Sequence, residues 1–334
     1  MKKLLVTALG LALILPGVSM AKKTKVSLII TTATTGGTYY PVGVGMATLW
    51  TTKLKKQGIR VAAQSSAGSV ENIQLLETGE AELAILQAPT TYLALNGLGP
   101  FKGHPRKHFL AITALWPNVE QYILVGKKVK TGTLDDIKGT KFVVGRSGSG
   151  TEASTKLCFR AIGIDPLKDI KPVYLGYNEA ANAIINGQAD GGSFTAGIPT
   201  SAVTRLFATP HVKVRILEFT DEHLKKLNEK YPGLWNRFII PANTYPNQKE
   251  PVKSAFFVNF LAAKDDLDPD IVYTLTKTLF ENLPYMYKIH KAARHIKLEN
   301  ALNGLPVPLH PGAYKYYKEM GLKIPARLVP PGMK

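Results

Sequence analysis

The spacing of apolar positions changes repeatedly along the chain, and these changes mark alternating strands and helices. Val26 to Thr31 is an apolar, β-branched run of the kind that forms a buried strand. A Gly36-Gly37 turn follows, and Pro41 is well suited to a helix start, where its missing N–H costs nothing. Apolar residues then recur at helical spacing as far as Leu54, and Gly58 ends the helix.

The same alternation continues through the next thirty or so positions. Strands are predicted at Ile59–Ser65 and Ala81–Ala88, on either side of a helix that Ser69 is suited to cap and Gly79 to close. This βαβαβ order predicts a parallel sheet with helices on its faces.

A second unit with the same pattern begins after two further apolar runs. Its strands are predicted at Lys141–Gly145, Val173–Gly176 and Ala189–Phe194, with helices ending near Ile162 and Gly187. The chain is therefore expected to form two similar α/β lobes rather than one long sheet. Two more runs, Phe238–Ile240 and Phe256–Ala262, are interpreted as the return crossing to the first lobe. The predicted first lobe is 22–124 plus 240–334, and the second is 125–239.

The N-terminal 21 residues have the order of a secretory signal peptide. Lys2 and Lys3 precede an apolar stretch from Leu4 to Leu15, and Ser19-Met20-Ala21 places small residues at a cleavage site. The alternative is a membrane anchor, but this stretch is shorter than the roughly 20 residues that span a bilayer. The expectation is cleavage after Ala21 and a mature, periplasmic chain.

Charge and cysteine content narrow the classes of function. The formal net charge is +18, but the lysines are spread along the chain and no basic run is interleaved with aromatic residues. This pattern indicates a solvated basic surface that favours either anionic ligands or an anionic membrane face, and it argues against nucleic acid as a partner. The single cysteine, Cys158, excludes an intrachain disulfide and is interpreted as a small core residue.

Candidate chemistry lies where the predicted strands end. Ligands of open α/β sheets bind outside the carboxyl ends of the strands, and most of these ends are rich in Gly, Ser or Thr. The predicted ligand-binding residues come from five such ends: Gly37, Thr38, Tyr39, Tyr40, Ser66, Gly68, Ser69, Gln87, Arg146, Ser147, Ser149, Gly150, Thr151 and Phe194.

The segment from Arg146 to Thr151 is the most informative of these ends, because it opens a helix. Its free backbone N–H groups and the helix dipole are suited to a carboxylate. An ordinary capped turn is the alternative for this loop, and two similar helix openings in the first lobe favour a ligand site. Arg146 is either a bidentate partner of a carboxylate or a solvated neighbour of the loop. Tyr39 and Tyr40 are expected to enclose the ligand, although one of the two could belong to the core.

The sequence motifs give little support for an enzymatic site or a metal site. The sequence contains no G-x-S-x-G, no P-loop and no H-E-x-x-H. His104 and His108 are separated by Pro105, and His290 and His295 are spaced off-face for a helical metal pair. We therefore expect no catalytic residues, no metal and no cofactor.

Several segments resemble one family of receptors in the order in which they occur. The sequence is similar to the TAXI family of solute receptors, the extracytoplasmic subunits of one class of tripartite ATP-independent periplasmic (TRAP) transporter. The matching segments are GGTYYPVG at Gly36–Gly43, SAGSVENIQLLETGEAELAILQ at Ser66–Gln87, RSGSGTEAS at Arg146–Ser154, GQADGGSF at Gly187–Phe194, IPANTYP at Ile240–Pro246, LTKTLFEN at Leu275–Asn282 and PLHPGAYKYYKEMG at Pro308–Gly321.

This resemblance implies a fold, a ligand class and a partner. The fold would be that of type II periplasmic binding proteins, with two α/β lobes joined by hinge strands and a ligand in the cleft. The ligand would be a carboxylate or amino acid, similar to glutamate or 2-oxoglutarate. The receptor, expected to be a monomer, would deliver it to a sodium-coupled membrane permease.

One departure from the family concerns the ligand. The family often has an acidic residue after the proline that matches Pro117, and here Asn118 follows. Nor is there a match to the fixed arginine of the separate dicarboxylate class of TRAP receptors. The alternatives to a TRAP receptor are a sensing module for a membrane-bound kinase, a receptor of an ATP-driven transporter, and an exported enzyme.

Overall fold

A computed structural model describes residues 25–333 of the chain. The predicted signal peptide and its cleavage site lie outside the described residues. The strands are β1 (Val26–Thr31), β2 (Ile59–Gln64), β3 (Leu83–Gln87), β4 (Phe109–Val119), β5 (Tyr122–Val125), β6 (Lys141–Val143), β7 (Lys171–Val173), β8 (Gly191–Ser193), β9 (Val214–Ile216), β10 (Asn236–Ile240) and β11 (Val252–Lys264).

The helices are α1 (Tyr39–Leu54), α2 (Ser69–Thr78), α3 (Ala88–Leu95), α4 (Gly150–Ile162), α5 (Tyr177–Ile185), α6 (Ser201–Ala208), α7 (Asp221–Lys230), α8 (Pro269–Glu281), α9 (Leu283–Ile289) and α10 (Pro311–Glu319). Short 3₁₀ turns connect several of them. Within residues 25–333, no helix combines the length and the apolar character that crossing a membrane requires.

The first lobe is built on a six-stranded sheet of order β10-β11-β3-β1-β2, with β4 paired to β11. Strands β1, β2 and β3 are parallel, with Val26 opposite Ile59 and Ile30 opposite Leu83. The predicted βαβαβ unit is therefore confirmed. The buried positions of these strands carry almost entirely apolar residues, because helices cover the sheet.

The second lobe contains a five-stranded sheet of order β7-β6-β8-β5-β9. Strands β6, β7 and β8 are parallel, and β5 runs antiparallel to both β8 and β9. The two-lobed α/β fold is confirmed. The lobe boundaries at 124/125 and 239/240 stay predictions.

Two long strands pass between the lobes side by side. β4 and β11 pair in antiparallel register from Phe109 opposite Lys264 to Val119 opposite Phe256. At its end β4 also meets the second lobe, where the Val119 N–H donates to the Ala196 carbonyl at 2.9 Å. These strands connect the two lobes. The return crossing predicted at Phe256–Ala262 is therefore present as part of β11.

Apolar burial explains why α1 forms where it does. Its predicted stripe is the buried face: Val42, Met46 and Trp50 have no exposed surface. The Trp50 Nε1–H donates to the Leu275 carbonyl of α8 at 2.9 Å, which satisfies the one polar atom of this side chain. Cys158 is fully buried, as predicted for a core residue.

The elements differ from the predictions at several points. Helix α1 begins at Tyr39, two residues before Pro41, because the first N–H groups of a helix have no intrahelical partner and a proline is tolerated there. Helix α3 was not predicted, since it follows β3 without a turn signal. Strand β7 ends at Val173, and the predicted strand residues 174–176 instead form a loop that leads to α5.

Candidate functional site

A cavity lies between the lobes, at the carboxyl ends of the strands. Its volume is about 40 Å³. On a comparable measure one water molecule needs about 10–15 Å³, so the cavity holds a few water-sized groups. The residues that line it are Ala33, Thr34, Gly37, Thr38, Tyr39, Ala67, Gly68, Ser69, Gln87, Asn118, Arg146, Ser149, Gly150, Thr151, Gly176, Tyr177, Thr195 and Ala196.

Four helices begin at this cavity. The first residues of α1, α2, α4 and α5 (Tyr39, Ser69, Gly150 and Tyr177) all line it. The first N–H groups of each helix have no intrahelical partner, and each helix dipole adds partial positive charge. In α1, α2 and α5 no side chain caps the helix start. This convergence favours an anion.

Arg146 reinforces this positive character. Among the described residues that line the cavity it is the one with a formally charged side chain. Arg146 is exposed, and no hydrogen bond or ion pair ties its guanidinium to another described residue. It is therefore available to a ligand carboxylate.

Hydroxyl groups form one wall of the cavity in the second lobe. The Tyr177 hydroxyl donates to the Thr195 carbonyl at 2.6 Å, so the Thr151 hydroxyl, 2.7 Å away, donates to the Tyr177 oxygen. Burial raises the pKa of the Tyr177 hydroxyl well above its usual value, and the same cause raises the pKa of Tyr39. Both tyrosines are therefore neutral, and they add polarity to the site without negative charge.

A buried carboxyl group lies behind this wall. Glu120, at the end of β4, has no exposed surface. Its Oε2 accepts from the Thr195 hydroxyl at 2.6 Å, and its Oε1 accepts from the Trp235 Nε1–H at 3.1 Å. Burial raises the pKa of Glu120 to about 7, against the hydrogen bonds from Thr195 and Trp235 that lower it.

The lobes meet through glycine backbone at the rim of the cavity. A Cβ at Gly150, in the second lobe, would lie 2.6 Å from Gln87 Cδ and 3.0 Å from Ser69 Cβ in the first. A Cβ at Gly68 would in turn lie 3.3 Å from the Gly150 backbone nitrogen. A side chain at Gly150 would therefore have to displace the buried Gln87 amide or move the lobes apart, and the close approach favours glycine there.

Comparison with known proteins places the chain in a family. The model of the NMT1-like family matches residues 30–321. The chain belongs to the NMT1-like family. The cavity and both of the strands that cross between the lobes fall within the matched residues.

Solved structures show what the fold of this NMT1-like protein is similar to. A structure from Bordetella bronchiseptica RB50 matches with a TM-score of 0.52 and 18% identity, covering 93% of this chain and 91% of that one. The periplasmic aliphatic sulphonate binding protein SsuA from Escherichia coli has a TM-score of 0.44 and 14% identity, over 89% and 84%. A binding protein component of an ABC phosphonate transporter from Pseudomonas aeruginosa has a TM-score of 0.48 and 16% identity, over 80% and 78%.

Most of the sequence-predicted site residues of this NMT1-like protein lie at one cavity. Those that line it are Gly37, Thr38, Tyr39, Gly68, Ser69, Gln87, Arg146, Ser149, Gly150 and Thr151. Their role in binding a ligand stays a prediction. Within residues 25–333, no three His, Cys, Asp or Glu side chains are grouped as a metal site would need.

Four predicted residues lie off the cavity. The Ser66 hydroxyl accepts from the Gly68 N–H at 3.0 Å and so shapes the loop from behind. Phe194 is fully buried under Tyr177, with ring centroids 5.4 Å apart. Ser147 lines a separate groove that is formed by residues of both lobes, and Tyr40 is half-buried beside the cavity residues without lining it.

Sequence reasoning missed eight lining residues: Ala33, Thr34, Ala67, Asn118, Gly176, Tyr177, Thr195 and Ala196. Ala67 and Thr195 lie within the predicted strand ends, but neither was named as a ligand-binding residue. Tyr177 directly follows the predicted strand Val173–Gly176, but that strand end was not among the five from which candidate residues came. Asn118 carried one signal, its departure from the acidic residue of the resembling family.

Ser149 is both a cavity residue and a helix cap, and this dual role has a measurable consequence. Its hydroxyl accepts from the Glu152 N–H at 2.9 Å at the start of α4. Ser149→Ala should therefore lower the free energy of unfolding by about 1 kcal/mol, as measured by urea denaturation. Ser149→Asp, which keeps an acceptor, should retain wild-type stability. Equal stability of the alanine variant would contradict the capping role.

Proposed function

We propose that this protein is the extracytoplasmic solute receptor of a TRAP transporter of the TAXI type. It would capture a small carboxylate or amino acid, similar to glutamate or 2-oxoglutarate, and deliver it to a sodium-coupled membrane permease. One observation carries the proposal: a cavity between two hinged lobes at which four helix N-termini and Arg146 converge. Such a site is suited to a small anion.

The proposed mechanism is a two-state hinge. The cavity takes residues from both lobes, so a ligand makes its full set of contacts only when the lobes are together. A ligand with more contacts to the closed form shifts the population toward it. We assign the hinge to β4 and β11, which belong to the first sheet and reach the second lobe at one end, where the Val119 N–H donates to the Ala196 carbonyl and the Phe219 N–H to the Lys253 carbonyl.

The remaining parts of the proposal follow from the sequence. The receptor would be a periplasmic monomer, freed by signal-peptide cleavage after Ala21, with no cofactor and no catalytic role. Receptors of ATP-driven transporters and sensing modules for membrane kinases are the alternatives. The resemblance over nearly the whole mature chain supports the TRAP receptor. A permease gene beside this one would support transport, and a kinase gene in that place would support sensing.

Arg146 provides a direct prediction for the proposed site. Arg146→Ala should raise the dissociation constant of the bound carboxylate roughly 10- to 100-fold, as expected for loss of a charge-assisted hydrogen bond worth about 1.5–3 kcal/mol. Isothermal titration calorimetry would measure it. Arg60→Ala removes the same charge from an exposed position outside the cavity and should leave affinity unchanged. Equal effects of the two variants would assign the loss to overall charge.

The experiment for the proposed function is a ligand screen by thermal shift. The chain from Lys22 onward would first be unfolded and refolded to remove ligand carried through purification. Amino acids, dicarboxylates, 2-oxo acids, sugars, nucleosides, sulfonates and phosphonates would then be tested. A ligand at 100 times its dissociation constant adds about 2.7 kcal/mol of stability. A shift with carboxylates or amino acids supports the proposal, and a shift with one of the other classes alone overturns the ligand class.

A further inference from the structure

Asn118 has an unusual position in the cavity. It lies on hinge strand β4, is 1% exposed and lines the cavity. Its Nδ2–H donates to Gln87 Oε1 at 3.1 Å, and the Gln87 Nε2–H donates to the Thr90 hydroxyl at 2.9 Å. This short chain of amides holds Asn118 in place and uses one of the two N–H groups of its amide.

The acceptor of the same side chain has no partner. Asn118 Oδ1 is closed off from solvent and accepts no hydrogen bond from any described residue. Buried polar atoms in proteins nearly always have a partner, so each exception calls for an explanation. Because Asn118 lines the cavity, the partner that we assign to Oδ1 is a ligand bound there. The ligand should therefore carry a hydrogen-bond donor.

The charge of the residues around the cavity indicates which hydrogen-bond donor the ligand carries. The described residues that line the cavity include Arg146 and no acidic side chain. The buried acid Glu120 contacts the lining residue Thr195, but both of its oxygens are already occupied by Thr195 and Trp235. Glu71 also contacts a lining residue, and its Oε2 accepts from the Ala67 N–H at 2.7 Å. An ammonium group in the cavity would therefore have no carboxylate partner among the lining residues, and a buried unpaired charge is unfavourable. A hydroxyl group is a donor without that cost.

We infer that the ligand is a small hydroxy carboxylate, whose carboxylate lies against Arg146 and the helix N-termini and whose hydroxyl donates to Asn118 Oδ1. This inference rests on the proposed function and narrows its ligand class. In this inference, Asn118 determines whether the protein binds the hydroxyl, the amino or the oxo form of otherwise identical acids most tightly. The small cavity volume fits a short carbon skeleton.

The test is a set of matched ligands on three carbon skeletons. The three-carbon set is lactate, alanine, pyruvate and propionate. The four-carbon set is malate, aspartate, oxaloacetate and succinate, and the five-carbon set is 2-hydroxyglutarate, glutamate, 2-oxoglutarate and glutarate, with both enantiomers wherever they exist. Each would be titrated by calorimetry into the refolded chain from Lys22. On the skeleton that binds best, the hydroxy acid should bind at least about 10-fold more tightly than the other three, the loss expected when a buried acceptor is left unpaired.

Two variants at Asn118 test whether this residue makes the choice. Asn118→Leu keeps the shape and removes the acceptor, so the hydroxy acid should fall to the affinity of the unsubstituted acid. The ratio between the two ligands is the measured quantity, because a general loss of stability affects both equally. Asn118→Asp adds a counter-charge and should move the preference to the amino acid. Asn182→Leu, at an exposed position on α5, is the control and should preserve the wild-type ratios.

Each contrary outcome overturns the inference in a recognisable way. A 2-oxo acid at the top of its set would mean that Asn118 presents its donor. An amino acid at the top in the wild type would mean that an ammonium is accepted without a protein carboxylate. A hydroxyl preference that survives Asn118→Leu would assign the choice to another residue. If no acid in any set binds, including the unsubstituted ones, the proposed carboxylate function fails and the inference fails with it.

Discussion

Gly150→Ala is expected to raise the dissociation constant of the ligand by about 100-fold while the protein stays folded. The new methyl group would lie 2.6 Å from Gln87 Cδ and 3.0 Å from Ser69 Cβ, both on the opposite lobe. Overpacking of this kind costs about 1–3 kcal/mol, and here the cost falls on the closed form alone. A penalty near the upper end lowers the closed population, and with it the apparent affinity, by about 100-fold.

The same substitution should not harm the fold of its own lobe. Gly150 is the first residue of α4, and alanine is favoured over glycine in a helix. Gly126→Ala is a suitable control, because its Cβ would meet the nearest atom, the Lys213 carbonyl oxygen, at an ordinary 3.5 Å. Titration calorimetry of both variants would measure affinity, and circular dichroism would check folding. Wild-type affinity in Gly150→Ala would mean that the lobes bind ligand without this close approach.

Glu120→Gln is expected to stabilise the protein in a strongly pH-dependent way. Burial raises the pKa of Glu120 from 4.5 in the unfolded chain to about 7 in the folded protein. Below about pH 4.5 both states are protonated and Glu120 costs nothing. As the pH rises toward 7 the unfolded state ionises first, so the folded state loses up to about 3 kcal/mol of stability, and the loss levels off above that pH.

Glutamine at this position cannot ionise, so it escapes that loss. It still has an oxygen to accept from Trp235 and an amide that can bond to Thr195, the two partners of the native side chain. The stability advantage of Glu120→Gln should therefore grow by up to about 3 kcal/mol between about pH 4.5 and about pH 8, as measured by urea denaturation. Glu229→Gln, at an exposed site, is the control. A pH-independent difference would contradict the raised pKa.

The local sequence pattern predicted the strands and helices of this fold better than it predicted the contacts between them. The run Val26–Thr31 is a strand at the bounds expected from its apolar, β-branched character, and α2 ends directly before Gly79, the residue predicted to close it. Both are local signals: burial on two faces in one case and a glycine at a helix end in the other. The parallel arrangement also followed, because a βαβ connection leaves few alternatives.

The parts that were missed depend on how distant segments meet. Nothing in the segment around Gly150 indicates that its Cα faces Gln87, more than sixty residues earlier. Asn118 belongs to the cavity because β4 carries it there as a crossing strand, and Glu120 is buried for the same reason. Tyr177 also lies in the cavity, but the end of the strand before it has no Gly, Ser or Thr cluster that would have marked it as a site. Helix openings were predictable as a class, but the residues that face the ligand depend on the packing of one lobe against the other.

Small-angle X-ray scattering with and without a bound carboxylate tests the central claim most directly. The refolded chain would be measured alone and with the acid that gives the largest thermal shift, and Gly150→Ala would be measured in parallel. The account predicts that the ligand lowers the radius of gyration of the wild-type protein and leaves the variant in the open form. Identical scattering of the wild type with and without saturating ligand would contradict binding by lobe closure.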